Sequence, residues 1–281
     1  MYQSQEYLLP QNFVSKSVTR YFSESVKTKA YLIYLHGGGL LYGSRNDLPS
    51  RHLELLTNAG YQVICLDYPL APDYQIEEIV NHVCSSITWC VSNIVNYGHA
   101  PLPYVLWGRS AGAYLCLIAA SHGNLSPSPS AILSYYGYGF LCNDWFCTPN
   151  HHYKQFPTVS ESCLSRNSGN FDIQSHFERY VYARQSGTWK NIIYTGRDKD
   201  FYLRYSLRSC TELPCALFAA HATGDPDVPF AEFQALCERY HPYRFIESST
   251  IHDFDRLDTY PFESTLGAKT IEFLDNIIKL R

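Results

Sequence analysis

Short, unbroken apolar runs recur along the chain at Ala30–Leu35, Tyr61–Leu66, Tyr104–Trp107, Ala131–Tyr135, Cys215–Ala220 and Tyr243–Glu247. Runs of this length and continuity, without polar alternation, predict strands covered on both faces, as in a parallel sheet. Between them the apolar period lengthens to that of a helix. Leu48, His52, Leu55 and Leu56 predict a helix over 48–59, closed by Gly60. Ile76, Ile79, Val80, Val83, Ile87, Val91, Ile94 and Val95 predict another over 74–96, with Gly98 as its stop. Further helices are expected at 113–120, 229–240 and 262–280. Residues 11–24 alternate polar and apolar and predict antiparallel strands at a sheet edge.

This strand–helix rhythm predicts an α/β fold with right-handed crossovers and a mostly parallel sheet, helices on both faces. It lapses between Tyr136 and about Leu213. There aromatic and polar residues (Trp145, Phe146, His151, His152, Tyr153, Trp189) surround helix-like pieces near 173–185 and 198–209. So long an irregular stretch is improbable as a plain loop and reads as an inserted helical cap at about 138–212 of a single domain spanning 1–281. No internal repeat or low-complexity segment interrupts the pattern.

Composition refines this little. The 281 residues are 46% hydrophobic and 17% charged, ordinary for a globular chain with a sizeable core. The net charge of −4 and the absence of a basic block give no footprint for nucleic acid or an anionic membrane. Met1–Pro10 lacks the pattern of a secretory signal, and no apolar run approaches a membrane span. The ten cysteines lack CxxC spacing, so free thiols in a reducing cytoplasm are expected.

The candidate chemistry lies at strand ends. Tyr104–Trp107 runs into Gly108-Arg109-Ser110-Ala111-Gly112 and then an apolar helix. Glycines flanking a serine at a strand-to-helix turn permit a tight elbow that lifts the hydroxyl clear of the backbone. Ser110 is therefore a candidate acyl-transfer nucleophile, needing a base, an acid and an oxyanion hole. In an open α/β sheet these should follow the carboxyl ends of strands. His252 qualifies, five residues past the last strand. His82, His122 and His176 fall within helical patterns, and His151 and His152 within the insertion. For the acid, Asp225 and Asp227 both follow the 215–220 strand. Asp225, behind Gly224, is preferred, with Asp227 expected to hold the loop through backbone hydrogen bonds. Asp198, in the insertion, is a more distant candidate. His36-Gly37-Gly38-Gly39 leaves a buried strand as a loop whose N–H groups can approach a negative oxygen, and the N–H of Ala111 at a helix N-terminus is a further donor.

These motifs resemble those of the α/β-hydrolases, and most closely the esterases and lipases related to hormone-sensitive lipase. That family shares a His-Gly-Gly-Gly loop, an Asp-Tyr-x-Leu-Ala-Pro segment and a Gly-x-Ser-Ala-Gly elbow, here His36–Gly39, Asp67–Pro72 and Gly108–Gly112. The acid segment, His221–Pro229, is similar to that of prolyl-oligopeptidase-like hydrolases and some acetyl esterases. The resemblance implies Asp225 as acid and Gly38, Gly39 and Ala111 as the oxyanion hole. Two positions depart from the pattern: Arg109 stands where an acidic residue is usual, and Tyr68-Pro69 replaces Tyr-Arg. The implied activity is hydrolysis of short-chain, acetyl-like carboxylic esters through an acyl-enzyme on Ser110, without metal or organic cofactor. A small-molecule ester is the expected partner, with no nucleic acid or membrane and with a homodimer left open. A peptidase or amidase of prolyl-oligopeptidase-like type and a non-catalytic ligand binder on the same fold are the alternatives.

Overall fold

The computed structural model describes residues 1–95, 102–165 and 173–279. Its strands are β1 (Gln3–Leu8), β2 (Ser17–Phe22), β3 (Ala30–Leu35), β4 (Tyr61–Leu66), β5 (Tyr104–Arg109), β6 (Ala131–Tyr135), β7 (Ala216–Ala222) and β8 (Tyr243–Glu247). Its α-helices are α1 (Ser50–Asn58), α2 (Ile76–Cys90), α3 (Ala111–His122), α4 (Ile173–Ser186), α5 (Trp189–Ile193), α6 (Asp198–Arg204), α7 (Phe230–Tyr240) and α8 (Leu266–Lys279). The strands form one sheet in the order β1-β2-β4-β3-β5-β6-β7-β8. β1 and β2 run antiparallel and the rest are parallel.

The central strands read as continuous apolar runs because both faces are covered. In β3, Tyr31, Ile33 and Leu35 join one core with α2 and α3, while Ala30, Leu32 and Tyr34 join another with α1 and α8. Every β3 residue is buried. β1 and β2 form the expected antiparallel edge, but β1 lies at 3–8, before the 11–24 window. Its residues are mostly exposed, so burial left no apolar signature there.

Element ends shift where capping overrides the apolar period. α1 begins at Ser50 behind Pro49, not at Leu48. α2 begins at Ile76, where Gln75 and Glu78 form a capping box, and runs into a π-helical turn at Val91–Val95. The expected end of that helix at 96 and its Gly98 stop lie outside the described residues. The last helix splits into a 3₁₀ turn at Phe262–Ser264 and α8.

Among the described residues, the segment between β6 and β7 contains three 3₁₀ turns followed by α4, α5 and α6 and a further 3₁₀ turn. The expected helix over 198–209 is α6 followed by a separate turn at Leu207–Ser209. Trp145, Phe146, Tyr180, Trp189 and Phe201 from this segment enter the same core as α2 and α3.

The strand order reverses direction at β3: β4 lies on one side and β5 on the other. Loops leaving β3 and β5 therefore diverge, and a crevice opens between their carboxyl ends.

Candidate active site

Both loops at that crevice carry the expected motifs. β5 is followed directly by Ser110, which adopts φ 52°, ψ −118° before α3 begins. A non-glycine residue in this region is strained. The flanking glycines make the elbow sterically possible. A Cβ on Gly112 would lie 2.0 Å from the carbonyl oxygen of Leu35, and one on Gly108 2.2 Å from the carbonyl carbon of Gly112. The serine is nearly buried, and its N–H donates to the carbonyl of Tyr135 (2.9 Å).

His252 follows β8 and Asp225 follows β7. Ser110 Oγ lies 2.9 Å from His252 Nε2, and His252 Nδ1 lies 2.6 Å from Asp225 Oδ2. The three residues named from sequence thus meet in one hydrogen-bonded chain. Burial alone would pull the imidazole pKa down. The carboxylates of Asp225, Asp227 and Asp253 outweigh it and push the pKa up to about 9. Burial would likewise raise the Asp225 pKa, but His252, His221 and the N–H of Asp227 together hold it below the usual carboxylate range.

Asp225 faces His252 as expected, but the loop-holding role expected of Asp227 also falls to Asp225. Asp225, not Asp227, holds the backbone: its Oδ1 accepts the N–H of Asp227 (2.9 Å) and of Val228 (3.0 Å) while Oδ2 faces His252. A short side chain two residues before those donors closes the loop on itself. The Asp227 side chain instead reaches the β6–β7 segment. It accepts hydroxyls from Tyr180 (2.8 Å) and Tyr153 (3.1 Å), pairs with Arg184 Nε (3.2 Å), and stands 3.9 Å from His252 Nε2. Asp198 pairs with Lys190 (2.6 Å) on the surface and takes no part in the site.

His36–Gly39 leaves β3 beside the elbow. Gly38 and Gly39 take φ +104° and +59°. A Cβ on Gly39 would sit 2.0 Å from the Tyr180 ring, so that ring closes over the loop. The His36 ring stacks on Tyr68 (4.1 Å between centroids) and donates from Nδ1 to the carbonyl of Gly37 (2.7 Å). The Tyr68 hydroxyl donates to the carbonyl of His36 (2.9 Å), and Trp189 Nε1 to that of Gly39 (2.6 Å). Among the described residues, the N–H groups of Gly38, Gly39 and Ala111 have no protein acceptor.

The remaining histidines sort as their positions suggested. His82 accepts the Ser15 N–H (3.2 Å), and burial lowers its pKa to about 4. His122 donates to the carbonyl of Ser206 (3.2 Å), and His152 packs on Tyr153 and Phe156. None of them lines the pocket.

A cavity of about 120 Å³ lies over Ser110. Besides the residues already named, Tyr42, Asp47, Tyr136, Asp253 and Arg256 line it. Sequence reading missed these. Tyr136 was within reach of it, because it is the first residue past β6 and the strand-end rule applies to it as to Ser110. Among the described residues, no group of three or more His, Cys, Asp or Glu side chains is arranged to hold a metal ion. Cys65, Cys90 and Cys116 are buried free thiols, and no described helix is long and apolar enough to cross a membrane.

A family model described as alpha/beta hydrolase fold matches residues 32–168, which carry the His36–Gly39 loop and the serine elbow. The sheet order and strand-end geometry agree with that match along the rest of the chain. This chain has the α/β-hydrolase fold. Its likeness extends to solved structures over nearly its whole length. A Staphylococcus aureus protein described as of unknown function superposes with a TM-score of 0.81 at 28% identity, covering 98% of this chain and 99% of that one. An α/β-hydrolase superfamily protein from Enterococcus faecalis gives 0.79 at 24% identity, covering 99% of each. An esterase from the bacterial hormone-sensitive lipase family gives 0.70 at 18% identity, covering 99% of this chain and 85% of the other. Among curated proteins, the non-reducing polyketide synthase adrD of Penicillium roqueforti is 30% identical over 138 residues. That match takes 45% of this chain and only 6% of the synthase's length.

Proposed function

We propose that this protein is a serine carboxylesterase acting on short-chain, acetyl-like esters through an acyl-enzyme. The observation that carries the reading is the unbroken chain from Ser110 Oγ through His252 to Asp225, with unpaired N–H groups beside it. His252 Nε2 takes the Ser110 proton as Oγ attacks the ester carbonyl. Asp225 fixes the tautomer by accepting Nδ1–H and stabilises the imidazolium. The developing oxyanion is received by the N–H groups of Gly38, Gly39 and Ala111, the last at the positive end of α3. His252 then passes its proton to the departing alcohol, and water releases the acid by the reverse sequence.

A cavity of about 120 Å³ favours a small acyl group. Cavities of about 150 Å³ admit a benzene-sized molecule, so long acyl chains have little room. We place the described residues of 138–212 over this pocket as a cap, because Tyr180 and Ile173 line it from that segment.

The test is turnover of p-nitrophenyl acetate compared with an aminoacyl anilide. Ester turnover that falls at least about a thousandfold in Ser110→Ala is expected. Anilide cleavage without ester turnover would refute the esterase reading, and unchanged activity in Ser110→Ala would refute the nucleophile.

A further inference from the structure

Arg109 departs from the elbow pattern of the resembling family, and its surroundings give it a task. It is 2% exposed and lies directly before Ser110 in the chain. Its Nε donates to the Tyr34 hydroxyl (2.8 Å) and its Nη2 to Asp47 Oδ2 (2.7 Å). Its Nη1 makes no hydrogen bond among the described residues and faces Asp255 Oδ2 at 3.8 Å. Asp255 is fully buried and lies three residues after His252. Its Oδ2 also accepts His52 Nε2 (2.9 Å), and its Oδ1 accepts the Tyr136 hydroxyl (2.8 Å). The Tyr136 ring in turn meets the His252 imidazole edge-on, with centroids 4.8 Å apart.

We infer that Asp255 is a positioning residue which, with Arg109, clasps the histidine loop to the serine elbow from beneath and so sets the Ser110–His252 distance. The inference rests on the serine-hydrolase reading above.

Its logic is that of a buried charge. A carboxylate removed from water costs several kcal/mol unless donors surround it. Asp255 draws its partners from separate elements: hydrogen bonds from His52 on α1 and Tyr136 at the end of β6, and the guanidinium charge of Arg109 at the end of β5. Arg51 of α1 adds hydrogen bonds to the carbonyls of Asp255 (2.8 Å) and Leu257 (2.5 Å), so the loop is held through its backbone too. The loop cannot shift without breaking contacts to elements that also hold the elbow. Asp255 itself touches no reacting atom. Its influence passes through the placement of His252, where an error of about 1 Å costs on the order of a hundredfold in rate.

The experiment is kcat and KM for p-nitrophenyl acetate in Asp255→Asn, Arg109→Met, the double variant and Tyr136→Phe, each normalised to active sites titrated with a fluorophosphonate. Titration counts only folded, competent serines. Asp255→Asn is expected to lower kcat per titrated site by roughly 10- to 100-fold while KM stays within about twofold. The double variant should lose less than the product of the two single losses, because both substitutions break the same Arg109–Asp255 contact, which can be lost only once. Tyr136→Phe, which keeps the ring against His252, should lower kcat several-fold and carries the test if Asp255→Asn does not fold. Unchanged kcat per titrated site in Asp255→Asn and Tyr136→Phe would overturn the clasp. Failure of the unsubstituted protein to titrate or turn over would instead sink the hydrolase reading, in the same assay.

Discussion

Ser110 holds its hydroxyl at φ 52° because two glycines give way around it, and the strain can be tested at either neighbour. Gly112→Ala places a methyl 2.0 Å from the Leu35 carbonyl and is expected to destabilise the fold by on the order of 1–3 kcal/mol, read by urea denaturation. The base makes a sharper prediction. With the His252 pKa pushed up to about 9, the imidazole is mostly protonated at neutral pH, and only its neutral form can accept the Ser110 proton. The rate constant kcat/KM should therefore rise with pH through a midpoint above 6.5, the ordinary histidine value. Asp227→Asn removes a negative charge that stabilises the imidazolium, so the midpoint should move down. A midpoint at or below 6.5 in the unsubstituted protein, or an upward move in Asp227→Asn, would contradict this electrostatic account. Ser110, His252 and Asp225 were legible in the sequence because strand ends are fixed by apolar runs and glycines are scarce enough to mark turns. The division of labour between Asp225 and Asp227 was not, since residues two apart in a loop differ only in where the loop turns their side chains.

Among the elements, the β6–β7 segment was legible only as a lapse in rhythm. Its helices take their stability from contacts that no local period records. Glu232 on α7 is the main example. Its buried carboxylate accepts the N–H groups of Gly139, Phe140 and Cys142, and Trp145 Nε1, pinning the first turn of the segment to α7. A glutamate in a helix reads as a solvated face, and nothing in its spacing announces four donors waiting above it. Glu232→Gln puts an amide donor among those donors and should cost about 2–3 kcal/mol of stability, measured by chemical denaturation. A loss below about 0.5 kcal/mol would mean that the segment is held by its aromatic packing alone. The N-terminal strands show the converse. β1 pairs with β2 at the exposed edge, and its apolar signal is weak because one neighbour and solvent are all it meets.

For the molecule as a whole, the position of the site follows from topology. The sheet reverses order between β3 and β5, so the glycine loop and the serine elbow face each other across the crevice, with Asp225 and His252 delivered by β7 and β8. That much could be read from the order of motifs along the chain. The pocket's size could not, because it is set by Tyr42, Tyr136, and Ile173 and Tyr180 of α4, which come from three separate segments. A cavity of about 120 Å³ predicts that kcat/KM in a p-nitrophenyl ester series is highest at acetyl or propionyl and falls at least tenfold by octanoyl. A flat or rising series would show that the acyl chain lies elsewhere. The most direct test of the central claim is mass spectrometry of protein quenched in acid moments after mixing with p-nitrophenyl acetate. The account predicts one acetyl group on the peptide carrying Ser110, absent in Ser110→Ala. Ester turnover with no acyl-enzyme on Ser110, or with the acetyl group on another residue, would contradict it.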